Sequence, residues 1–84
     1  MRYDSVVTGK VIRQLRKERG VTQDVLSGLA GIGRSHLAMI ENGQKNANVE
    51  TLWRIAEALG IPLSQMIRIV EEELAKAIMH EKNP

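Results

Sequence analysis

The sequence predicts an all-α fold in which five helices form a single domain. Apolar residues recur at spacings of three and four along successive stretches of the chain, which is the period of one helix face. Side chains that can cap a helix N-terminus precede several of these stretches, and glycines that can end a helix follow them. The chain has 84 residues, close to the lower size at which domains fold without disulfides or metals. We therefore expect one compact domain over residues 1–84.

Composition and charge narrow the class of protein. The absence of cysteine excludes a disulfide framework and a thiolate zinc site, and the near absence of aromatic residues predicts an aliphatic core. No apolar run reaches the length of about 18 residues that a membrane helix needs, and the N-terminus lacks an apolar signal segment, so we expect a cytoplasmic protein without membrane contact. Residues 1–20 carry six bases and two acids, whereas residues 71–84 carry four acids and two bases. This asymmetry suits a protein with one face on a polyanion.

The first helix is predicted from about Ser5 to Arg19. Asp4 or Ser5 can cap its start, and Gly20 can end it. Its stripe is formed by Thr8, Val11, Ile12, Leu15 and Arg19.

Two short helices joined by a tight turn are predicted between residues 22 and 43, and they form the centre of the fold. Thr22 is the expected N-cap of the second helix, and Asp24 places negative charge at the positive end of that helix. Gly31 can supply the left-handed backbone of the turn. The third helix is expected over about residues 34–42 and stops at Gly43.

The apolar pattern of this helix pair assigns an inner and an outer side. The apolar residues of the second helix are Val25, Leu26 and Leu29, and Gly28 is expected to weaken this helix. The third helix directs Leu37 and Ile40 to the core, where Ile32 can join them. The residues left facing outward are Arg34, Ser35, Ala38 and Met39.

Two further helices complete the predicted fold. Asn48 is the expected N-cap of the fourth helix, whose core-facing stripe is Leu52, Ile55, Ala56 and Leu59. Trp53 lies off this stripe, and we expect it to pack partially or to contact a second copy of the chain. The fifth helix begins at Leu63 or Ser64 and extends to about Glu81.

The fifth helix carries more apolar surface than one chain of this size is expected to cover. One interpretation is an ordinary core helix with a frayed end. We prefer a homodimer interface in which this helix packs against its symmetry mate. The predicted interface residues are Met66, Ile67, Val70, Leu74 and Ile78.

The sequence offers little for catalysis or metal binding. His36 and His80 lack the closely spaced companions of a metal site. Ser35 and His36 are neighbours on a helix and therefore point in different directions, so they cannot act as nucleophile and base. We expect no enzymatic activity, no metal and no cofactor.

The chain resembles the helix-turn-helix domain of the lambda-repressor-like family, which includes phage repressors, Cro and the Xre-type bacterial regulators. The resemblance covers about residues 9–67. It is carried by Arg16, Gly20, Thr22, Gln23, Leu26, Ala30, Gly31, Ile32, Leu37, Ile40, Glu41, Gly43, Leu52, Ile55, Ala56, Leu59 and Gly60. The resemblance implies a compact five-helix domain with its helix-turn-helix at the second and third helices.

The resemblance also implies a function and its residues. We expect sequence-specific binding of double-stranded DNA by a transcriptional regulator, in the first place a repressor, with the third helix in the major groove. The implied base-reading positions are Gly33, Arg34, Ser35 and Met39, with Ala38 adjacent. The implied phosphate contacts are Gln23, Asn42, Gln44, Lys45 and Asn46. The implied structural ion pair joins Arg16 to Glu41.

The expected partners are DNA and a second copy of the chain. A two-fold dimer predicts an inverted-repeat operator with half-sites ~10 bp apart. The alternative is a protein-interaction module on the same scaffold, such as an antitoxin or a coactivator that binds a protein partner. In that case Met39, Ala38 and Leu29 would belong to an apolar docking patch.

Overall fold

A computed structural model describes the backbone of residues 2–82 and the side chains of residues 2–79. Within this range the chain forms five α-helices and no strand. They are α1 (Ser5–Glu18), α2 (Gln23–Ala30), α3 (Arg34–Glu41), α4 (Val49–Ala58) and α5 (Leu63–Lys82). The all-α fold expected from the apolar periodicity is therefore confirmed.

Short polar side chains begin three of the helices. Asp4 accepts a hydrogen bond from the backbone N–H of Val6 at 2.9 Å and so caps α1. Thr22 accepts from the N–H of Val25 at 3.1 Å, and Asn48 accepts from the N–H of Thr51 at 2.8 Å. Each cap satisfies one backbone donor that the first helical turn leaves free, so these helices begin where the sequence predicts.

Glycine ends α2 and α3 in the same way. Gly31 and Gly43 have φ of 69° and 75°, in the left-handed region that a side chain disfavours. After α3, the N–H of Gly43 donates to the carbonyl of Ile40 at 3.1 Å, and the N–H of Gln44 donates to the carbonyl of Met39 at 2.9 Å. These two bonds form a Schellman motif, which satisfies the last carbonyls and turns the chain sharply.

The core is aliphatic and draws on all five helices. α2 packs against α3 and α4, while α1 packs against α3 and α5. The largest fully buried side chains are Ile12, Leu26, Leu37, Ile40, Ile55 and Met66. Ile32 packs against this core in a half-buried position.

The second helix buries less of its apolar surface than the sequence suggests. Leu26 is in the core, but Val25 and Leu29 are exposed. The other buried residues of α2 are Ser27 and Ala30. The inner face of α2 is therefore narrower and less apolar than the face that Val25, Leu26 and Leu29 would form.

Three of the five residues predicted at the dimer interface are buried within the single chain. Met66, Val70 and Leu74 are buried within a single chain, because α1 and α4 both pack against α5. These three residues therefore belong to the monomer core and offer no surface to a partner. Ile67 and Ile78 are half-buried.

Although α5 is 20 residues long, neither it nor any other described helix is apolar enough to cross a membrane.

Gly9 allows α1 to lie directly against the end of α3. A Cβ placed on Gly9 would lie 2.6 Å from the carbonyl oxygen of Glu41 and would overlap the carbonyl oxygen of Ile40. These are backbone atoms, which cannot rotate aside as a flexible side chain can. The sequence does not reveal this role of Gly9, since a glycine inside a predicted helix does not show which neighbour approaches it.

Candidate nucleic-acid interface

The candidate site is built on α2, α3 and the turn between them. Residues 31–33 connect the two helices. Leu26 on α2 and Leu37 and Ile40 on α3 are fully buried, so both helices are held by the same core. This packing fixes the orientation of α3 and leaves its first turn at the surface.

The four predicted base-reading residues differ in exposure. Arg34 and Ser35, at the start of α3, are exposed. Ala38 and Met39, one turn later, are half-buried. The outward-facing set is therefore polar at the helix start and apolar toward its middle. Gly33 is the N-cap of α3 and makes no side-chain capping bond.

Arg34 has a charged partner on the preceding helix. Its Nε lies 3.2 Å from Oδ1 of Asp24, and the two side chains are 67% and 73% exposed. Both residues lie in the first turn of their helices. Sequence reasoning placed each residue on its own helix but missed their contact, because the contact depends on the angle at which the turn sets α3 against α2.

A buried ion pair joins α1 to α3 behind this surface. Arg16 of α1 donates to both carboxylate oxygens of Glu41 at the end of α3, at 2.8 and 3.1 Å. Their side chains are only 11% and 1% exposed. Arg16 also donates to the carbonyl of Val21 at 3.0 Å. Among residues 2–79, no group of three or more His, Asp or Glu side chains could hold a metal ion.

The same carboxylate holds the first residue of α2. The side-chain amide of Gln23 donates to Oε1 of Glu41 at 3.1 Å. Gln23 was predicted to contact a phosphate, and the structure fixes it in a half-buried position at the start of α2. One N–H and the carbonyl oxygen of its amide remain for another partner.

The loop after α3 contains the other predicted phosphate contacts. These exposed residues are Asn42, Gln44, Lys45 and Asn46. The start of α1 braces the loop, because Ser5 donates a hydrogen bond to the carbonyl of Gly43 at 3.2 Å. A Cβ on Gly43 would lie 2.8 Å from a methyl group of Val6, so α1 approaches the loop closely.

Comparison with known proteins identifies the family that uses this arrangement. A helix-turn-helix family model matches residues 12–66, which include α2, the turn and α3. The chain belongs to the helix-turn-helix family of Cro/Xre type. The expected resemblance is confirmed, and this helix-turn-helix protein is a transcriptional regulator.

Two relatives and one solved structure illustrate the similarity. The immunity repressor of Bacillus phage phi105 is 40% identical over 78 residues, which cover 93% of this chain and 53% of the repressor. The control protein C.MunI of a Mycoplasma species is 32% identical over 66 residues, which cover 77% of this chain and 89% of that protein. The restriction-modification controller protein C.AhdI from Aeromonas hydrophila superposes with a TM-score of 0.72 at 32% identity, covering 74% and 94% of the two chains.

These comparisons confirm the predicted fold class. The five helices have the same all-α arrangement as the controller protein. The chain spans about half the length of the phage repressor that it matches.

Proposed function

We propose that this regulator is a homodimeric repressor that binds a specific double-stranded DNA sequence and reads the major groove with α3. The observation that carries the proposal is the exposed start of α3, where Arg34 and Ser35 project from a helix fixed by buried residues on its other side. An α-helix fits the major groove, where each base pair presents its own pattern of donors, acceptors and methyl groups.

The chemistry of α3 suggests how bases are read. The guanidinium of Arg34 can donate two parallel hydrogen bonds to O6 and N7 of guanine, which would contribute ~1 to 3 kcal/mol of discrimination. Ser35 can donate or accept a hydrogen bond and is therefore less selective. Ala38 and Met39 are half-buried, so each offers only a small apolar contact, as with a thymine methyl group.

Polar residues on both sides of α3 are suited to the DNA backbone. Lys45, Gln44 and Asn46 lie in the loop that follows α3, and this loop is anchored to α1. Gln23 lies at the start of α2 and Asn42 at the end of α3. Contacts of these residues with phosphates would fix the position of the domain on the duplex without reading sequence.

Apolar residues at the junction of α4 and α5 provide the surface for a second copy. We name this surface the Trp53 face; its apolar members are Trp53, Ile61, Leu63 and Ile67. Trp53 is 58% exposed, and aromatic residues are enriched at protein interfaces. Leu63 and Ile67 are one helical turn apart and share a side of α5. The Trp53 face replaces the predicted interface and retains only Ile67 from it.

A two-fold dimer has a direct consequence for the operator. Its two reading helices would enter successive major grooves, so the half-sites of an inverted repeat would lie ~10 bp, or ~34 to 36 Å, apart. The similarity to a phage immunity repressor supports the repressor role.

A selection experiment tests the proposal. The purified protein is mixed with a randomised duplex library at near-physiological salt, and the bound fraction is sequenced. We expect an inverted repeat with half-sites about one helical turn apart. Recovery of unselected sequence, with affinity that collapses as salt rises, would leave only phosphate attraction and would favour the protein-interaction alternative.

Two variants separate base reading from backbone contacts in the same selection. Arg34→Ala should relax the preference at one base position of each half-site, because it removes the paired donors. Lys45→Ala should weaken binding to all sequences about equally, because it removes one phosphate contact. It should also reduce the slope of the logarithm of the binding constant against the logarithm of the salt concentration by about one. An unchanged preferred sequence with Arg34→Ala would show that another residue reads the base.

A further inference from the structure

The ion pair between Asp24 and Arg34 joins the two helices of the reading unit. Two other exposed ion pairs occur among the side chains of residues 2–79. Each of these connects residues of a single helix, Glu50 with Arg54 in α4 and Glu73 with Lys76 in α5. Asp24 is therefore placed differently, because it lies on α2 and its partner is the first residue of α3.

Helix electrostatics favour the position of Asp24 and disfavour that of Arg34. The N-terminus of a helix carries partial positive charge, which attracts a carboxylate and repels a cation. Asp24 in the first turn of α2 thus has a favourable position of its own, whereas Arg34 at the start of α3 gains a neighbouring negative charge. Since both side chains are mostly exposed, the pair changes a binding or folding equilibrium by no more than about fivefold. Its effect on stability is therefore small.

We propose that Asp24 is a specificity-determining residue that positions Arg34 for a base edge; this inference rests on the proposed function. Asp24 lies against Nε of Arg34, which leaves the two terminal nitrogens for another partner. Those nitrogens form the planar fork that matches the two acceptors of guanine.

The negative charge of Asp24 also opposes the competing use of Arg34. An unrestrained arginine can swing to a phosphate and bind any sequence, and such contacts provide affinity without discrimination. A carboxylate beside Nε holds the guanidinium back and repels a phosphate that approaches the same place. Asp24 thereby lowers the affinity for non-cognate DNA more than the affinity for the operator.

The test compares Asp24→Asn with Glu50→Gln, which makes the same charge change at an exposed ion pair on α4. Dissociation constants are measured for the selected operator and for the same duplex with the guanine opposite Arg34 replaced. The ratio is the dissociation constant of the altered duplex divided by that of the operator. Asp24→Asn should reduce this ratio by about two- to fivefold, mainly through tighter binding of the altered duplex. Glu50→Gln should leave the ratio unchanged. In an Arg34→Ala background, Asp24→Asn should no longer alter it.

Other outcomes would overturn the inference in distinguishable ways. Equal tightening of both duplexes by Asp24→Asn would show that Asp24 acts only through net charge. An equal change of the ratio with Arg34→Ala present would show that Asp24 does not act through Arg34. If the wild-type protein selects an operator but Arg34→Ala does not affect discrimination, sequence-specific binding stands and the role of Asp24 is wrong. If the wild-type protein selects no sequence, the proposed function fails together with this inference.

Discussion

At the scale of single residues, the Arg16 guanidinium and the Glu41 carboxylate form the most buried charged contact that the structure describes. Removing Arg16 would leave Glu41 almost fully buried with only the amide of Gln23 as a hydrogen-bond donor. Because an unpaired charge in such a position is poorly solvated, we expect Arg16→Ala to lower the free energy of unfolding by ~3 to 5 kcal/mol. Urea denaturation followed by circular dichroism measures this change.

Lys17 provides the control for that substitution. It is the next residue on α1, carries the same charge and is exposed, so Lys17→Ala should alter the free energy of unfolding by only about 0.5 kcal/mol. Equal effects of Arg16→Ala and Lys17→Ala would mean that the buried pair contributes no more than a surface charge.

The candidate site shows which residue-level features a sequence can reveal. The exposed positions of Arg34 and Ser35 follow from the apolar spacing of Leu37 and Ile40 on the same short helix. The contact of Arg34 with Asp24 does not follow from any spacing, because the two residues lie on different helices. The exposure of Arg34 and Ser35 could be predicted, but the charged partner of Arg34 could not.

At the scale of helices, the helix ends could be predicted, but the side of α2 that packs inward could not. The capping bonds of Thr22 and Asn48 are local, so the residue type and the following apolar pattern suffice to locate them. The exposure of Leu29 depends on which side of α2 meets α3 and α4. That choice is made by the whole core, and the residues of one helix do not contain it.

Two glycines inside helices should respond oppositely to the same substitution. Gly9→Ala would drive a methyl group into the backbone of Ile40 and Glu41, and we expect it to destabilise the protein by about 1 to 3 kcal/mol as α1 and α3 separate. A Cβ on Gly28 meets no atom within 4 Å. Gly28→Ala should stabilise the protein by about 0.5 to 1 kcal/mol, because alanine loses less backbone freedom on folding.

The comparison of these two variants by thermal unfolding tests the close approach of α1 to α3. Because both changes add one methyl group to a helical glycine, intrinsic helix propensity favours both. Stabilisation by Gly9→Ala would therefore show that the helices lie farther apart than the structure places them.

At the scale of the whole molecule, the apolar surface of α5 is divided between the core and the outside. The sequence suggested an excess of apolar surface that we expected a second chain to cover. In the structure, α1 and α4 already cover Met66, Val70 and Leu74. The apolar residues of the Trp53 face lie partly outside α5, since Trp53 is on α4 and Ile61 precedes α5. The Trp53 face is the surface that we propose for a dimer.

Trp53→Ser should dissociate this dimer without unfolding the monomer. The indole is 58% exposed in the single chain, so its removal costs the core little, whereas loss of an aromatic anchor at an interface costs ~2 kcal/mol or more, or about a thirtyfold rise in the dimer dissociation constant. Sedimentation equilibrium over a range of concentrations measures this constant. Leu29→Ser is the control, because Leu29 is 65% exposed but lies on α2. Dissociation by Leu29→Ser with an intact Trp53→Ser dimer would place the interface on α2 instead.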